Sequence, residues 1–200
     1  LQLGGHAVYL SPGDGQVGVR ESFYDVGKNL ERWVDGIMIR TFAHRNILDL
    51  AAAVRVPVIN ALSDLLHPCQ AMADFFTLKE KHGDLGRLKL TYVGDGNNVC
   101  HSLMFAAAKA GSRMAVATPP GYEPDAEIVR QAREDGRETG FELSLGHDPR
   151  QAAAGADAIY TDVWASMGQE AEKADRAAVF APFQVTAGLM AAARPGALVR

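Results

Sequence analysis

Short apolar runs typical of strands alternate along the chain with segments of helical spacing. Seven runs favour strands because they are short and largely apolar. They are His6–Leu10, Gly36–Ile39, Val56–Asn60, Lys89–Val93, Arg113–Ala117, Glu142–Leu145 and Ala158–Thr161. Apolar spacing between them predicts helices over Arg20–Leu30, Asn46–Val54, Pro68–His82, Val99–Ala110 and Asp125–Glu138. This repeated alternation predicts an α/β fold with parallel sheets and crossover helices.

The number of predicted strands favours two doubly wound parallel-sheet domains with flanking helices. The amphipathic helix Pro68–His82 is predicted to turn Met72, Phe75, Phe76 and Leu78 inward, and a Gly- and charge-rich stretch, residues 83–87, follows it. Such stretches are typical of linkers. We therefore predict a first domain over residues 1–83 and a second over residues 84–200.

Composition excludes several classes of protein. Of the 200 residues 48% are hydrophobic and 22% charged, and the net charge of −4 leaves no basic block for a nucleic-acid partner. No apolar run approaches the roughly 18 residues of a membrane span. The two cysteines, Cys69 and Cys100, have no metal-ligand spacing and are typical of free thiols in a reducing compartment. We expect a cytoplasmic protein with no membrane partner and no metal.

Polar residues follow four of the predicted strands, where parallel α/β sheets bind ligands. They are Arg40, the loop Asn60–Gln70, the turn Gly94–Asn98 and the loop Asp162–Gln169. Arg40 could offer a bidentate donor to a phosphate or carbonyl, or form a surface ion pair. In His67-Pro68-Cys69-Gln70, proline favours the first helical position, which places His67 and Gln70 at a helix start that attracts anions. Alternatively, His67 only caps the helix and Gln70 closes a capping box.

The turn Gly94–Asn98 has part of a dinucleotide fingerprint. Val99 stands at the third glycine position, and neither Ala117 nor Thr118 supplies the acid that a ribose needs, so a nicotinamide site is disfavoured. Asn97 and Asn98 could bind a carboxylate or amide, or simply build the turn. Asp162 and Ser166 could hold an ammonium group, although Asp162 could also cap the next helix while Trp164 packs the loop.

Taken together, three motifs resemble those of the ornithine carbamoyltransferases in order and spacing. They are His67-Pro68-Cys69-Gln70, Gly94-Asp95-Gly96-Asn97-Asn98 and Asp162-Val163-Trp164-Ala165-Ser166-Met167-Gly168-Gln169-Glu170, supported by Gly121-Tyr122-Glu123-Pro124-Asp125. The resemblance implies carbamoyl transfer from carbamoyl phosphate to the δ-amine of L-ornithine, giving L-citrulline and phosphate, without a cofactor. It also implies a cytoplasmic homotrimer or higher multiple whose active site lies in the cleft between the domains.

The resemblance also implies roles for individual residues. Arg40 and His67 would be catalytic and, with Gln70, would bind carbamoyl phosphate: the first two polarise its carbamoyl oxygen and Gln70 contacts its nitrogen. Asn98 and the backbone of Met167 would bind the ornithine carboxylate. Asp162 and Ser166 would hold its α-amine.

Other amines and an inactive homologue remain as alternatives. Aspartate, putrescine and acetylornithine are substrates of related enzymes, but putrescine has no carboxylate for Asn98 to bind. A catalytically inactive amino-acid-binding homologue would use the same residues. The chain begins after the family's Ser-x-Arg-Thr-Arg phosphate loop and ends before its His-Cys-Leu-Pro loop. We therefore expect the 200-residue chain alone to have little or no activity.

Overall fold

Two helices and two parallel strands make up the described part of the first unit, Leu1–Asp64. The structure is a computed structural model that describes residues 2, 4–11, 17–18, 20–165 and 170–200. The elements of this unit are α1 Phe23–Leu30, β1 Ile37–Arg40, α2 His44–Ala53 and β2 Val58–Leu62. Gly27 of α1 is buried against α2, and a Cβ there would lie 2.8 Å from Val54 Cγ1 and 2.9 Å from Leu50 Cδ1. The glycine therefore permits the close packing of the two helices.

The strand predicted at His6–Leu10 is wrong. This segment is irregular in the structure, and Val8 and Tyr9 are 70% and 82% exposed. A strand is stable only when a neighbour completes its hydrogen-bond ladder, and among the described residues none pairs with this segment. Apolar composition alone therefore gave a false signal here.

The second unit, Leu65–Arg200, contains a five-stranded parallel sheet in the order β5-β4-β3-β6-β7. Its strands are β3 Lys89–Val93, β4 Arg113–Ala117, β5 Glu142–Gly146, β6 Ala158–Tyr160 and β7 Leu198–Val199. Its helices are α3 Pro68–His82, α4 Asn98–Ala110, α5 Ala126–Asp135, α6 Pro149–Ala153, α7 Lys173–Phe180 and α8 Ala187–Met190, with short 3₁₀ turns at Leu85–Arg87, Glu170–Glu172 and Ala181–Phe183. The predicted α/β class with parallel sheets and flanking helices is confirmed.

Apolar layers cover both faces of this sheet. On one face α3, α4 and α5 form a core with residues of β3, β4 and β6. On the other face, Val93 and Ile159 pack with Ala153, Phe183 and Leu189. Strands buried on both faces read as continuous apolar runs, which explains why β3, β4 and β6 were recognisable in the sequence.

The buried face of α3 differs from the prediction. Phe75 and Leu78 are buried, but Met72 and Phe76 are 70% and 63% exposed. Helical geometry puts positions 71, 74, 75 and 78 on one stripe, so the buried stripe includes Asp74 rather than Met72. Asp74 thus lies on the buried face of α3, where the apolar pattern had predicted Met72.

The division between units falls earlier than the predicted domain boundary. Along the sequence, the first compact unit ends at Asp64 and the second begins at Leu65. Helix α3 packs against α4 inside the second unit. The boundary after residue 83 stays a prediction. No helix of the described residues is long and apolar enough to cross a membrane.

Candidate functional site

Two polar segments meet at the carboxyl ends of the paired strands β3 and β6. Asn97 follows β3 and Asp162 follows β6, and Asn97 Nδ2 donates to Asp162 Oδ2 at 3.1 Å. The other amide atom, Asn97 Oδ1, accepts from the backbone N–H groups of Val99 and Cys100 at 3.0 and 3.2 Å. Asn97 is therefore the N-cap of α4 and holds the Asp162 carboxylate with the rest of its amide. The predicted residue Asn98 is the first residue of α4, directly beside this contact.

Gly94 and Gly96 of the β3–α4 turn each stand where a side chain would not fit the backbone or its surroundings. A Cβ on Gly96 would lie 2.3 Å from the backbone nitrogen of Pro124, and Gly96 N–H donates to Tyr122 O at 2.9 Å. Gly94 has φ +148°, which a side chain rarely adopts. Gly96 thus permits close packing against residues 122–124, whereas Gly94 permits the backbone conformation of the turn.

A buried arginine joins this turn to the segment after β6. Arg176 of α7 is 4% exposed and contacts the Asp95 carboxylate and the Trp164 carbonyl oxygen. Its guanidinium carbon lies 4.9 Å from the Tyr122 ring centre and 5.2 Å from that of Phe180. Burial raises the pKa of the Asp95 carboxyl and the Arg176 charge opposes that shift. This pair was not predicted from the sequence, because its two residues are 81 positions apart.

The predicted residue His67 is the N-cap of α3, with Pro68 next to it at the first helical position. The imidazole makes no capping hydrogen bond, whereas the His67 backbone N–H donates to Ser102 Oγ at 2.7 Å. Ser102 Oγ in turn donates to the Asn98 carbonyl oxygen at 2.9 Å. Ser102, which was not predicted from the sequence, thus joins the starts of α3 and α4 and brings His67 and Asn98 together.

His101 of α4 also holds the segment just before α3, and it contacts the start of α5 as well. His101 is 6% exposed; its Nδ1 lies 2.9 Å from Leu65 O, and its Nε2 accepts from Asp125 N–H at 3.0 Å. Because a carbonyl oxygen only accepts, Nδ1 must carry the proton. Burial lowers the pKa of His101, so the ring is held neutral in its place.

Gln70 does not close a capping box. The box needs the N-cap N–H, which is donated to Ser102. Gln70 Nε2 instead lies 3.1 and 3.2 Å from the two carboxylate oxygens of Asp74, and Arg200 Nε lies 2.8 Å from Asp74 Oδ1. Arg200 follows β7, and its backbone bonds to both Ile159 and Thr161 next to it in the sheet.

Arg40 lies in the first unit, as the last residue of β1. It is exposed, and the β1–β2 register shifts between Ile39 and Arg40. The alternative of a surface ion pair finds no support, since Arg40 has no acidic partner within the described part of the chain.

Two predicted residues, Ser166 and Met167, lie outside the described residues. The segment leading to them, Thr161–Trp164, lines a cavity of about 280 Å³ together with Gln184 and Val185. Cys100 is fully buried and burial raises the pKa of its thiol, which favours the unreactive protonated form. Over the described ranges, no group of three or more His, Cys, Asp or Glu side chains could hold a metal ion.

Two family models together match nearly the whole chain. The model described as the carbamoyl-P binding domain of aspartate/ornithine carbamoyltransferase matches residues 1–80, which contain Arg40, His67 and Gln70. The model described as the Asp/Orn binding domain matches residues 87–199, which contain Asn98, Asp162, Ser166 and Met167.

Individual relatives agree with these matches. An ornithine carbamoyltransferase of Thermococcus kodakarensis is 53% identical over 194 residues, which are 97% of this chain and 62% of the relative. An anabolic ornithine carbamoyltransferase of Pyrococcus furiosus is 51% identical over 96% of the chain and 61% of its own length. The chain thus spans about three fifths of the length of these curated relatives.

Solved structures give the same result. A Pyrococcus furiosus ornithine carbamoyltransferase matches with a TM-score of 0.94 at 50% identity, over 98% of this chain and 63% of that one. An anabolic ornithine carbamoyltransferase of Campylobacter jejuni also gives 0.94, at 36% identity, over 99% of this chain and 66% of that one. The fold described above is therefore shared with these proteins.

Proposed function

The chain belongs to the aspartate/ornithine carbamoyltransferase family, and we propose that it serves carbamoyl transfer from carbamoyl phosphate to the δ-amine of L-ornithine. The amine nitrogen forms a bond to the carbamoyl carbon, the bond from that carbon to the phosphate oxygen breaks, and the attacking nitrogen loses a proton. The products are L-citrulline and phosphate. Because carbamoyl phosphate is already activated, this chemistry requires no cofactor.

The contact between Asn97 and Asp162 carries the proposal. It holds a carboxylate beside the start of α4, where Asn98 presents an amide at the same edge of the sheet. A carboxylate has about four acceptor positions, so one donor from Asn97 leaves Asp162 able to bind an ammonium group. In this proposal Asp162 and Ser166 hold the α-amine of ornithine, and Asn98 with the Met167 backbone holds its carboxylate.

The carbamoyl group would be held by Arg40, His67 and Gln70. Attack on the carbamoyl carbon places negative charge on its oxygen, and Arg40 and His67 would stabilise that charge. A positioned donor at such an oxygen contributes about 3–4 kcal/mol. Holding both reactants in line contributes up to about 7–11 kcal/mol more, which is what binding both substrates in one cleft would provide.

The choice of ornithine over related amines is also part of the proposal. Putrescine would leave Asn98 without a carboxylate to bind, and acetylornithine would bring no ammonium group to Asp162. Aspartate has no δ-amine. The relatives named above are named for ornithine, which supports the same choice.

Calorimetry with a citrulline assay tests the proposal. L-Ornithine should bind to the chain, and putrescine, N-acetyl-L-ornithine and L-aspartate should each bind at least about tenfold more weakly, since each loses a charged or hydrogen-bonded contact. Asp162→Asn should weaken ornithine binding, whereas the exposed change Asp175→Asn should not. Equal binding of all four compounds would contradict the assignment. A colorimetric assay for citrulline, with carbamoyl phosphate present and the chain extended at both ends by the two family loops, separates turnover from binding alone.

The proposal also includes the oligomeric state of the protein and its location in the cell. The family resemblance supports a homotrimer or higher multiple in the cytoplasm. Light scattering during size-exclusion chromatography should give about three times the chain mass of 21.4 kDa, and cell fractionation should recover the protein with cytoplasmic enzymes. A monomer at micromolar concentration would contradict the trimer.

A further inference from the structure

A buried carboxylate lies one helical turn after Gln70. Asp74 is 5% exposed, on the inward stripe of α3. Its two oxygens lie 3.1 and 3.2 Å from Gln70 Nε2, and Oδ1 also lies 2.8 Å from Arg200 Nε. A charged group this deep is costly unless it is paired, and these two side chains provide its partners.

This contact fixes which way the Gln70 amide faces. A carboxylate only accepts hydrogen bonds, and the glutamine amide has its donors on Nε2 and its acceptor on Oε1. Nε2 must therefore face Asp74, and Oε1 must face the opposite way. The one local use of Oε1 that the sequence suggests, a capping box at His67, is already excluded because the His67 N–H donates to Ser102.

We propose that Asp74 is a positioning residue that turns Gln70 Oε1 outward as an acceptor for the –NH₂ of a carbamoyl group, and so selects carbamoyl phosphate over acyl phosphates that lack this donor. The proposal rests on the proposed function and adds to it the source of selectivity at the carbamoyl nitrogen. Acetyl phosphate is the matched probe, because a methyl group replaces the amine at nearly the same size.

Arg200 offers the competing explanation for any effect of changing Asp74. Its guanidinium bonds to Asp74 and also lies 3.4 Å from the Tyr160 hydroxyl oxygen. If Asp74 acted only by anchoring Arg200, removing the arginine would have the same consequence as removing the acid. If it acts through Gln70, the two changes have different consequences.

The first measurement needs no substrate. With ¹⁵N-labelled glutamine, the Gln70 side-chain amide protons should exchange at least about tenfold more slowly than those of the exposed Gln151, because Asp74 holds them. Asp74→Asn should remove this protection, since an asparagine can present either an oxygen or an –NH₂ group. Unprotected Gln70 protons in the unaltered chain would overturn the orientation.

The second measurement is calorimetric binding of carbamoyl phosphate and acetyl phosphate. The unaltered chain should prefer carbamoyl phosphate by roughly tenfold, the worth of one hydrogen bond. Asp74→Asn and Gln70→Leu should each bring the two affinities to within about twofold while acetyl phosphate binds as before. Arg200→Gln, and Glu80→Gln on the exposed face of the same helix, should keep the tenfold preference.

The outcomes separate the two proposals. A preference that survives in both Asp74→Asn and Gln70→Leu, or that is lost equally in Arg200→Gln, would overturn the role of Asp74 while leaving carbamoyl transfer intact. Failure to bind either phosphate when the unaltered chain is extended at its start by the family's phosphate loop, with the Gln70 protons protected, would instead overturn the proposed function and with it the selectivity.

Discussion

The two helices that begin beside the candidate site start in different ways. Asn97 caps α4 with its own side chain, which accepts two first-turn N–H groups and donates to Asp162. His67 begins α3 without a capping hydrogen bond from its ring, and its backbone N–H is held by Ser102. One residue thus serves stability and the site together, whereas the His67 imidazole is not used to hold its helix. A residue needed by the fold and one placed for ligand chemistry should respond differently to substitution.

The largest effect should come from the buried pair that anchors the turn before α4. Arg176→Leu leaves the Asp95 side chain, which is only 13% exposed, without its charged partner, and removing one partner of such a pair costs about 3–5 kcal/mol of unfolding free energy. Denaturation in urea measures this loss. The exposed pair of Arg130 with Glu127 is the control, because its side chains are 56% and 70% exposed. Arg130→Leu should cost much less than Arg176→Leu, and equal losses would show that the Asp95 pair contributes no more than a surface contact.

The next effect compares the two helix starts directly. Asn97→Ala should lower the unfolding free energy by about 1–2 kcal/mol because it removes a side-chain cap. His67→Ala should lower it by less than Asn97→Ala does, because the imidazole makes no capping hydrogen bond. Urea denaturation of both variants under the same conditions provides the measurement.

Asn97→Asp separates the two tasks of Asn97. An aspartate retains the capping oxygen, so the contribution of the cap to stability should be kept. It loses the donor to Asp162 and brings a second negative charge to that carboxylate. Ornithine binding should therefore weaken although the helix remains capped. If Asn97→Asp binds ornithine as well as the unaltered chain, the contact with Asp162 has no part in the site.

The sequence predicted what depends on neighbours along the chain. The start of α3 follows from Pro68 at its first position, and β3 and β4 follow from continuous apolar runs. β7 has only the two residues Leu198 and Val199, too few to show any periodicity. An apolar run can also mislead, as the segment His6–Leu10 shows, because pairing depends on a partner strand that the run itself does not specify.

The site was predictable as motifs and unpredictable as contacts. Asn98, Asp162 and His67 stand next to helix and strand ends, and their proposed roles follow from motifs that resemble those of the family. Arg176 and Asp95 are 81 positions apart, and no local pattern connects them. The burial of Asp74 could not be predicted for a different reason. A lone acid beside apolar residues is usually placed on the solvent face, and the contacts of Asp74 with Gln70 and Arg200 are known only from the structure.

The last prediction tests His101, which joins Leu65, just before α3, to Asp125, the N-cap of α5. The folded state lowers the pKa of His101 through burial, and protonated Nε2 could no longer accept from Asp125 N–H. As the pH falls below about 6.5, the unfolded chain takes up a proton that the folded chain resists, so stability is lost with a slope of at most about 1.4 kcal/mol per pH unit. Above that pH the contribution is fully present. Urea denaturation between pH 8 and 5 should show a shallower pH dependence for His101→Gln than for the unaltered chain, since glutamine does not titrate. The exposed His82 supplies the control: if His82→Gln flattens the profile as much as His101→Gln does, the proton that folding excludes does not belong to His101.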